Sequence, residues 1–370
     1  MSTLLRVAVL GAGSVGREVI RALLERADDL RSADGSPIVL TGIAVRDVAR
    51  AAAGGIPEAL LTDAPAHLIA DPDTDVIVEL MGGDEPARTL IAAALAAGKP
   101  VVTANKHVIA HYGAELEAAS RRTGTPLRFE AAVGGGIPVL GPIAVDLAAN
   151  RLDAVRGIVN GTTNFILTAM SGEGRPYADV LADAQVAGFA EADPRGDVEG
   201  HDAANKLVIL ARMAFGQWLD PASILLASAR AGASTGLPGI TGVTLPDILA
   251  AAAQRLAIKL IAATVRTPNG VSASVLASVV PLDSPLGRTD GVLNRIEVDG
   301  TPIGSVAFSG PGAGGAATSS AVLADLIAIA RQGGSTWAGL PSASGPVNAL
   351  PPADGDAFIG PSGVAYPVIR

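Results

Sequence analysis

A chain of 370 residues that is 49% hydrophobic, 17% charged and 3% aromatic has the length of two or three domains, and its abundant Gly and Ala suit an α/β protein with closely packed helices. The formal net charge of −9, with Lys and Arg scattered and no basic stripe, argues against nucleic-acid binding. With no cysteine there is no disulfide, no thiolate metal site and no thiol nucleophile, which fits a reducing compartment.

The first residues, Met1-Ser2-Thr3-Leu4-Leu5-Arg6-Val7, read as the start of a short strand and not as a signal peptide, because no basic segment leads a long apolar core. The strand proper, 5–10, runs into Gly11-Ala12-Gly13-Ser14-Val15-Gly16 and a helix over 15–26. Strands are predicted at 38–45, 76–80, 100–103 and 126–130, with helical patterns between them, as at 86–97. This alternation predicts a parallel, doubly wound sheet of Rossmann type.

After Gly134-Gly135-Gly136-Ile137-Pro138 the pattern changes. A strand at 154–160 leads into the turn Gly161-Thr162-Thr163-Asn164, and helices follow near 178–187 and 201–215. The most apolar helical stretch, 248–265, is broken by Gln254, Arg255 and Lys259, whereas a membrane span needs ~20 uninterrupted apolar residues. No membrane association and a cytoplasmic location are therefore expected. Runs at 272–280 and 291–309 are β-like. A second Gly-rich turn, Gly310 to Gly315, precedes a helix at 316–331, as if the chain returned to its first domain. The expected organisation is a nucleotide-binding domain over 1–133, an α+β catalytic domain with a mixed open sheet over 134–305, a return segment over 306–331, and an extended or partly disordered tail over 332–370.

The first Gly-rich turn sits directly between a strand and a helix, the context that makes G-x-G-x-x-G a dinucleotide signature. Gly11 permits the tight turn, Gly13 lets a pyrophosphate approach the backbone, and Gly16 lets the helix pack on the strand. Ser14 and Val15 open that helix, whose free N–H groups attract phosphate. The second strand ends in Arg46-Asp47. An arginine there pairs with a 2′-phosphate, which favours NADP, while Asp47 next to it keeps NAD open. Met81 and Gly82, after the strand at 76–80, fall at the same sheet edge, where ligands lie on such folds. Lys106, in Thr103-Ala104-Asn105-Lys106, follows another strand to that edge.

From Glu191 to Lys206 the chain gathers seven ionisable side chains besides His201, then runs into the apolar helix Leu207-Val208-Ile209-Leu210. Asp202 and Lys206 are four residues apart and share one helix face. On an exposed helix such a pair is ordinary; on one half-buried through Leu207, Leu210 and Met213, next to a loop carrying Glu191, Asp193, Asp197 and Glu199, it points to acid/base chemistry.

These motifs together resemble those of homoserine dehydrogenases. The resemblance is carried by Gly11–Gly16, Ala104-Asn105-Lys106, Glu130 to Pro138, the Asn160 to Leu167 run N-G-T-T-N-F-I-L, the Glu191–Lys206 stretch and Gly310 to Gly314, in order over nearly all of 5–331. It implies interconversion of L-homoserine and L-aspartate 4-semialdehyde with NADP or NAD, in threonine, methionine and isoleucine biosynthesis. By match to the family's motifs, Lys206 is the main acid/base residue, Asp202 orients it or the substrate, and Lys106 contacts substrate and cofactor. Glu191 binds the substrate ammonium with Asp197 nearby, Gly161 and Thr162 line the substrate site, and Gly314 touches the cofactor. The resemblance also implies a structural sodium ion near Glu130, Val133, Gly135 and Ile137, and a homodimer formed through the second domain's sheet. Residues 332–370 are too few for the threonine-binding regulatory domain that many members carry, since domains usually exceed ~50 residues.

Two rivals are weaker. A semialdehyde dehydrogenase working through a thioester needs a cysteine, which is absent. A non-catalytic NADP-sensing regulator would keep the Gly-rich turn but has no need of Lys106, Glu191, Asp202 and Lys206 together.

Overall fold

The computed structural model describes residues 4–27, 29, 30, 37–227, 236–353 and 355–369; Met1–Thr3 of the first expected strand and Asp354 of the tail lie outside these. The chain divides into one unit of Met1–Leu147 with Ala313–Gly345, and another of Ala148–Gly312 with Pro346–Arg370.

The first unit holds a sheet of β1 (Leu5–Leu10), β2 (Ile38–Ala44), β3 (Leu61–Thr62), β4 (Val76–Glu79), β5 (Val101–Thr103) and β6 (Leu127–Arg128), in the order β3-β2-β1-β4-β5-β6. Every pairing is parallel. Residues 7–10, 76–78 and 101–102 are buried, as continuous apolar strands covered on both faces should be. The strand order reverses at β1 and β4, so a crevice opens at their carboxyl ends. The helix Gly315–Ala330 packs Ala321, Val322 and Leu326 into one core with Val19, Ile20 and Leu23 of the helix Ser14–Glu25. This unit extends to Leu147, beyond the boundary at 133 that the glycine turn marked. The reason is Glu130: its carboxylate accepts from the backbone N–H groups of Val139, Leu140 and Gly141, which ties the helix Leu140–Ala144 to the strand end.

The second unit holds β7 (Arg151–Ile158), β8 (Leu256–Thr267), β9 (Gly270–Pro281), β10 (Leu293–Thr301) and β11 (Gly304–Pro311), in the order β11-β10-β7-β8-β9. The sheet expected to be mixed is antiparallel at every pairing of these named strands. Two tight hairpins, β8–β9 and β10–β11, impose that direction. Parallel pairing is confined to isolated bridges such as Ser272 with Leu350 and Val279 with Val368. The run 248–265, expected as one helix, is a helix Leu245–Ala253 followed by β8. Its break comes at Arg255, which takes the left-handed φ of 59° and reverses the chain. The helix opens on a capping box that the T-L-P-D sequence encodes, with Thr244 and Asp247 bonded reciprocally. Among the described residues, no helix is long and apolar enough to cross a membrane.

Past Pro346 the tail is seated on the second unit and not loose. It adds a small hairpin of β12 (Ala357–Ile359) and β13 (Ala365–Pro367), and Ile369 N–H donates to Val279 C=O at 2.9 Å. The fully buried Tyr366 donates to Asp247 Oδ2 at 2.9 Å, and Ser362 N–H to Asp247 Oδ1 at 2.9 Å. Burial alone would raise the Asp247 carboxyl, but donors from Ser362, Thr244 and Tyr366 outweigh it and hold the group below its ordinary value. A carboxyl so depressed stabilises the fold above its unfolded pKa and loses that contribution as pH falls through its folded one. Tyr366→Phe removes one donor to a buried carboxylate, and should cost about 1.5–3 kcal/mol in chemical denaturation near neutral pH. An unchanged midpoint would mean that the clasp contributes nothing.

Candidate active site

In the first unit the Gly-rich turn has the shape its residues imply. Gly11 adopts φ +102°, and a Cβ there would lie 2.6 Å from Leu80 O; at Gly16 a Cβ would lie 2.1 Å from Gly11 O. Gly13 has nothing within 4 Å of a Cβ position, so its backbone is open to a ligand. Gly13 also caps the helix Ser14–Glu25 without any side-chain bond to the first-turn N–H groups. An open backbone and uncapped N–H groups at a helix start fit a pyrophosphate. Gly314, with φ +105°, precedes Gly315, whose Cβ would lie 2.6 Å from Ser14 O, so the second Gly-rich turn closes on the first.

Arg46 stands exposed just beyond β2. The Asp47 carboxylate beside it accepts from Arg50 N–H at 2.9 Å and caps the helix Val48–Ala53. Met81 and Gly82 leave β4 at the crevice. Lys106 is half-buried at the first position of the helix Lys106–Thr123, which Asn105 caps by accepting from Val108 N–H.

In the second unit Lys206 is 8% exposed, and its Nζ donates to Val159 O and to Asp202 Oδ2, both at 2.7 Å. Val159 follows β7, so its carbonyl is at the strand's end. An ammonium has three donors. Two of Lys206's are thus committed, and the third has no acceptor among the described residues. Asp202 lies in the first turn of the helix His201–Phe215, where its charge also suits the helix dipole.

The centre of this cluster is Asn160, which the sequence marked as the first residue of the N-G-T-T-N run without giving it a role. Its Nδ2 donates to Asp197 Oδ1 at 2.7 Å and to Asp202 Oδ2 at 2.9 Å, and its Oδ1 caps the helix Gly161–Glu173 through Thr163 N–H. One amide therefore holds two carboxylates beside one lysine. The usable signal was an Asn directly before a helix, the favoured N-cap. Burial pushes the Asp197 carboxyl up, Asn160 opposes this, and the neighbouring Asp202 adds to the rise. Thr162 donates to Phe189 O at 2.7 Å, and Gly161 is forced by close approach, since a Cβ would lie 2.9 Å from Val292 O. Glu191 is exposed, and its carboxylate has no hydrogen-bond partner among the described residues, so it stands outside the Asn160 network. Asp193 and Arg195 pair with each other at 2.6 Å on the surface.

The four expected ion-binding positions lie in one buried stretch of the first unit, around Gly134 and Gly135, which have φ of 73° and 58°. The Glu130 carboxylate is not an open ligand, because three backbone N–H groups occupy it at 2.7–2.8 Å. What this stretch offers a hard cation is backbone carbonyl oxygen. Among the described residues no group of three or more His, Cys, Asp and Glu side chains could hold a metal.

Comparison with known proteins covers both units. Residues 11–130 match the model of the homoserine dehydrogenase NAD-binding domain, and residues 138–327 that of the homoserine dehydrogenase domain. Homoserine dehydrogenase of Corynebacterium glutamicum is 43% identical over 91% of this chain and 76% of its own. The crystal structure of a homoserine dehydrogenase from Thiobacillus denitrificans superposes with a TM-score of 0.82 at 40% identity, over 89% of this chain and 74% of that one. A hyperthermophilic archaeal homoserine dehydrogenase in complex with NADPH is similar at a TM-score of 0.71 and 25% identity, over 88% of this chain and 97% of that one.

Proposed function

The chain belongs to the homoserine dehydrogenase family, oxidoreductases acting on the alcohol group of homoserine, and we propose that it interconverts L-homoserine and L-aspartate 4-semialdehyde with Lys206 as the acid/base residue. The observation that carries this reading is the third Lys206 proton, left without an acceptor while Val159 O and Asp202 fix the other two.

The nicotinamide supplies the hydride chemistry, and the chain's residues bind, orient and move the proton. Reduction of the aldehyde builds negative charge on its oxygen. The Lys206 ammonium stabilises that oxygen and delivers the uncommitted proton; in oxidation a neutral Lys206 accepts the alcohol proton. Asp202 orients Lys206, and Asn160 restrains Asp202 and Asp197. Glu191, exposed and unpaired, is the partner for the substrate ammonium, Gly161 and Thr162 line the substrate, and Lys106 contacts substrate and cofactor. Gly11, Gly13, Ser14, Val15, Gly16, Met81, Gly82 and Gly314 form the cofactor's bed. A structural sodium ion fits the carbonyls of Glu130, Val133, Gly135 and Ile137, with the Glu130 carboxylate left to its helix. The enzyme works in the cytoplasm as a homodimer through the second unit's sheet, in threonine, methionine and isoleucine biosynthesis.

NADP is the preferred cofactor in this reading, because Asp47 is engaged in capping and Arg46 is not held in the core. Arg46→Ala should raise KM for NADP about tenfold, the size of one charge-assisted phosphate contact, and move KM for NAD little. Equal losses for both nucleotides would remove Arg46 from phosphate recognition. The reaction itself is tested by adding homoserine and NADP to purified protein: absorbance should grow at the reduced-nicotinamide band. No growth at any pH up to the alkaline range would refute the assignment.

A further inference from the structure

Glu79 ends β4 with no exposed surface, after three apolar residues of the same strand. A carboxylate is costly at such a place unless donors meet it. Both its oxygens are engaged: Oε1 accepts from Met81 N–H at 2.7 Å, and Oε2 from the Thr103 hydroxyl at 2.6 Å. Thr103 ends the adjacent strand, β5. Its hydroxyl oxygen accepts from Asn105 N–H at 2.9 Å, and Asn105 Nδ2 donates to Gly83 O at 2.8 Å. The oxygen of the same amide, Oδ1, accepts from Val108 N–H and caps the helix that starts at Lys106. The bonds thus form a ring from the end of β4, across the end of β5, and back to the loop after β4. Burial pushes the Glu79 carboxyl above the usual range, and bonds from Thr103, Met81, Gly82 and Asn105 draw it back.

We propose that Glu79 is a positioning residue for the cofactor crevice, fixing the Met81-Gly82 backbone and, through Thr103 and Asn105, the start of the Lys106 helix as one rigid piece. This rests on the reading above that Met81, Gly82 and Lys106 meet the cofactor. An isolated parallel-strand end needs no such group, since an apolar side chain would fill the space without a desolvated charge. What an apolar side chain would not do is hold two loops from different strands in a shared hydrogen-bonded ring. Small displacements of such loops matter, because contacts to a bound nucleotide depend on geometry within fractions of an ångström.

Glu79→Gln keeps the shape but replaces one acceptor by a donor, which must face either Met81 N–H or the Thr103 hydroxyl. Thr103→Val keeps the carboxylate and its Met81 bond but cuts the link to Asn105. Nucleotide binding is read by NADPH fluorescence titration without substrate, beside steady-state KM values and a thermal melt. We expect Glu79→Gln to melt within a few degrees of the parent. Its NADPH Kd and its KM for NADP should rise about tenfold, with KM for homoserine within twofold, and Thr103→Val should shift in the same direction. Parental Kd and KM for nucleotide in both variants would overturn the proposal. A lowered melt with parental nucleotide affinity would also overturn it, by making Glu79 purely structural. If Glu79→Gln does not fold, Thr103→Val alone decides. A parent that binds NADPH without oxidising homoserine would refute the reaction while leaving the titration to judge Glu79; a parent that binds no nucleotide would sink both.

Discussion

Lys206→Ala is expected to lower kcat by about 10²–10⁴-fold while the protein still folds and binds cofactor, the usual range for loss of a general acid or base. The expectation rests on how the amine is held. It is 8% exposed, anchored to a strand-end carbonyl and to one carboxylate, and left with a single proton to give. A lysine with a purely structural role in this place would, when removed, lower stability and spare turnover at low temperature. Nucleotide titration should stay near the parental value, because neither group that Lys206 bonds, Val159 O or Asp202, belongs to the dinucleotide turn. Unchanged kcat would remove Lys206 from the reaction.

Asp202→Asn is expected to lower kcat by about 10²-fold with a smaller change in KM for homoserine, the size of effect that misplacing a reacting group by about an ångström produces. The magnitude separates two accounts of the same pair. An exposed i,i+4 ion pair contributes only ~0.2–0.5 kcal/mol and its loss would hardly be noticed. Here both side chains are 10% exposed, and Asp202 also accepts from Asn160. Asparagine keeps the shape, but it no longer offers Lys206 a charged acceptor, and Asn160 then meets an amide in place of a carboxylate. A variant with parental kcat and pH profile would show that the pair belongs to the fold and not to the chemistry.

Much of the first unit was legible because parallel strands buried on both faces appear as uninterrupted apolar runs, and because the Gly-rich turn carries its own geometry. The boundary at 133 was not, since the glycine turn looked like a domain hinge while the real tie, Glu130 to the N–H groups of Val139, Leu140 and Gly141, is a contact formed only on folding. The run 248–265 misled because apolar residues without a clear period fit a buried helix or a buried strand equally; only Arg255 in its left-handed conformation marks the change. The tail looked structureless because its order comes from pairing with distant residues, Asp247 and Val279 among them, and not from local pattern.

At the site, the i,i+4 spacing of Asp202 and Lys206 was readable, and so was the placing of Lys106 after a strand. Asn160 and Glu79 were not. Each is a polar residue at a strand end whose role lies in the partners it joins, Asp197 with Asp202 in one case and Met81 with Thr103 in the other. The stretch expected to hold an ion shows the converse: the Glu130 carboxylate named there is already occupied by a helix start.

The most direct measurement is the initial rate of nicotinamide reduction with L-homoserine as the sole substrate, first under saturating NADP and then under saturating NAD. A homoserine-dependent rate with both nucleotides or with NADP alone, with the lower KM for NADP, is the predicted result. No homoserine-dependent rate with either nucleotide, from a protein shown to be folded, would contradict the assignment of Lys206 and its neighbours to this reaction.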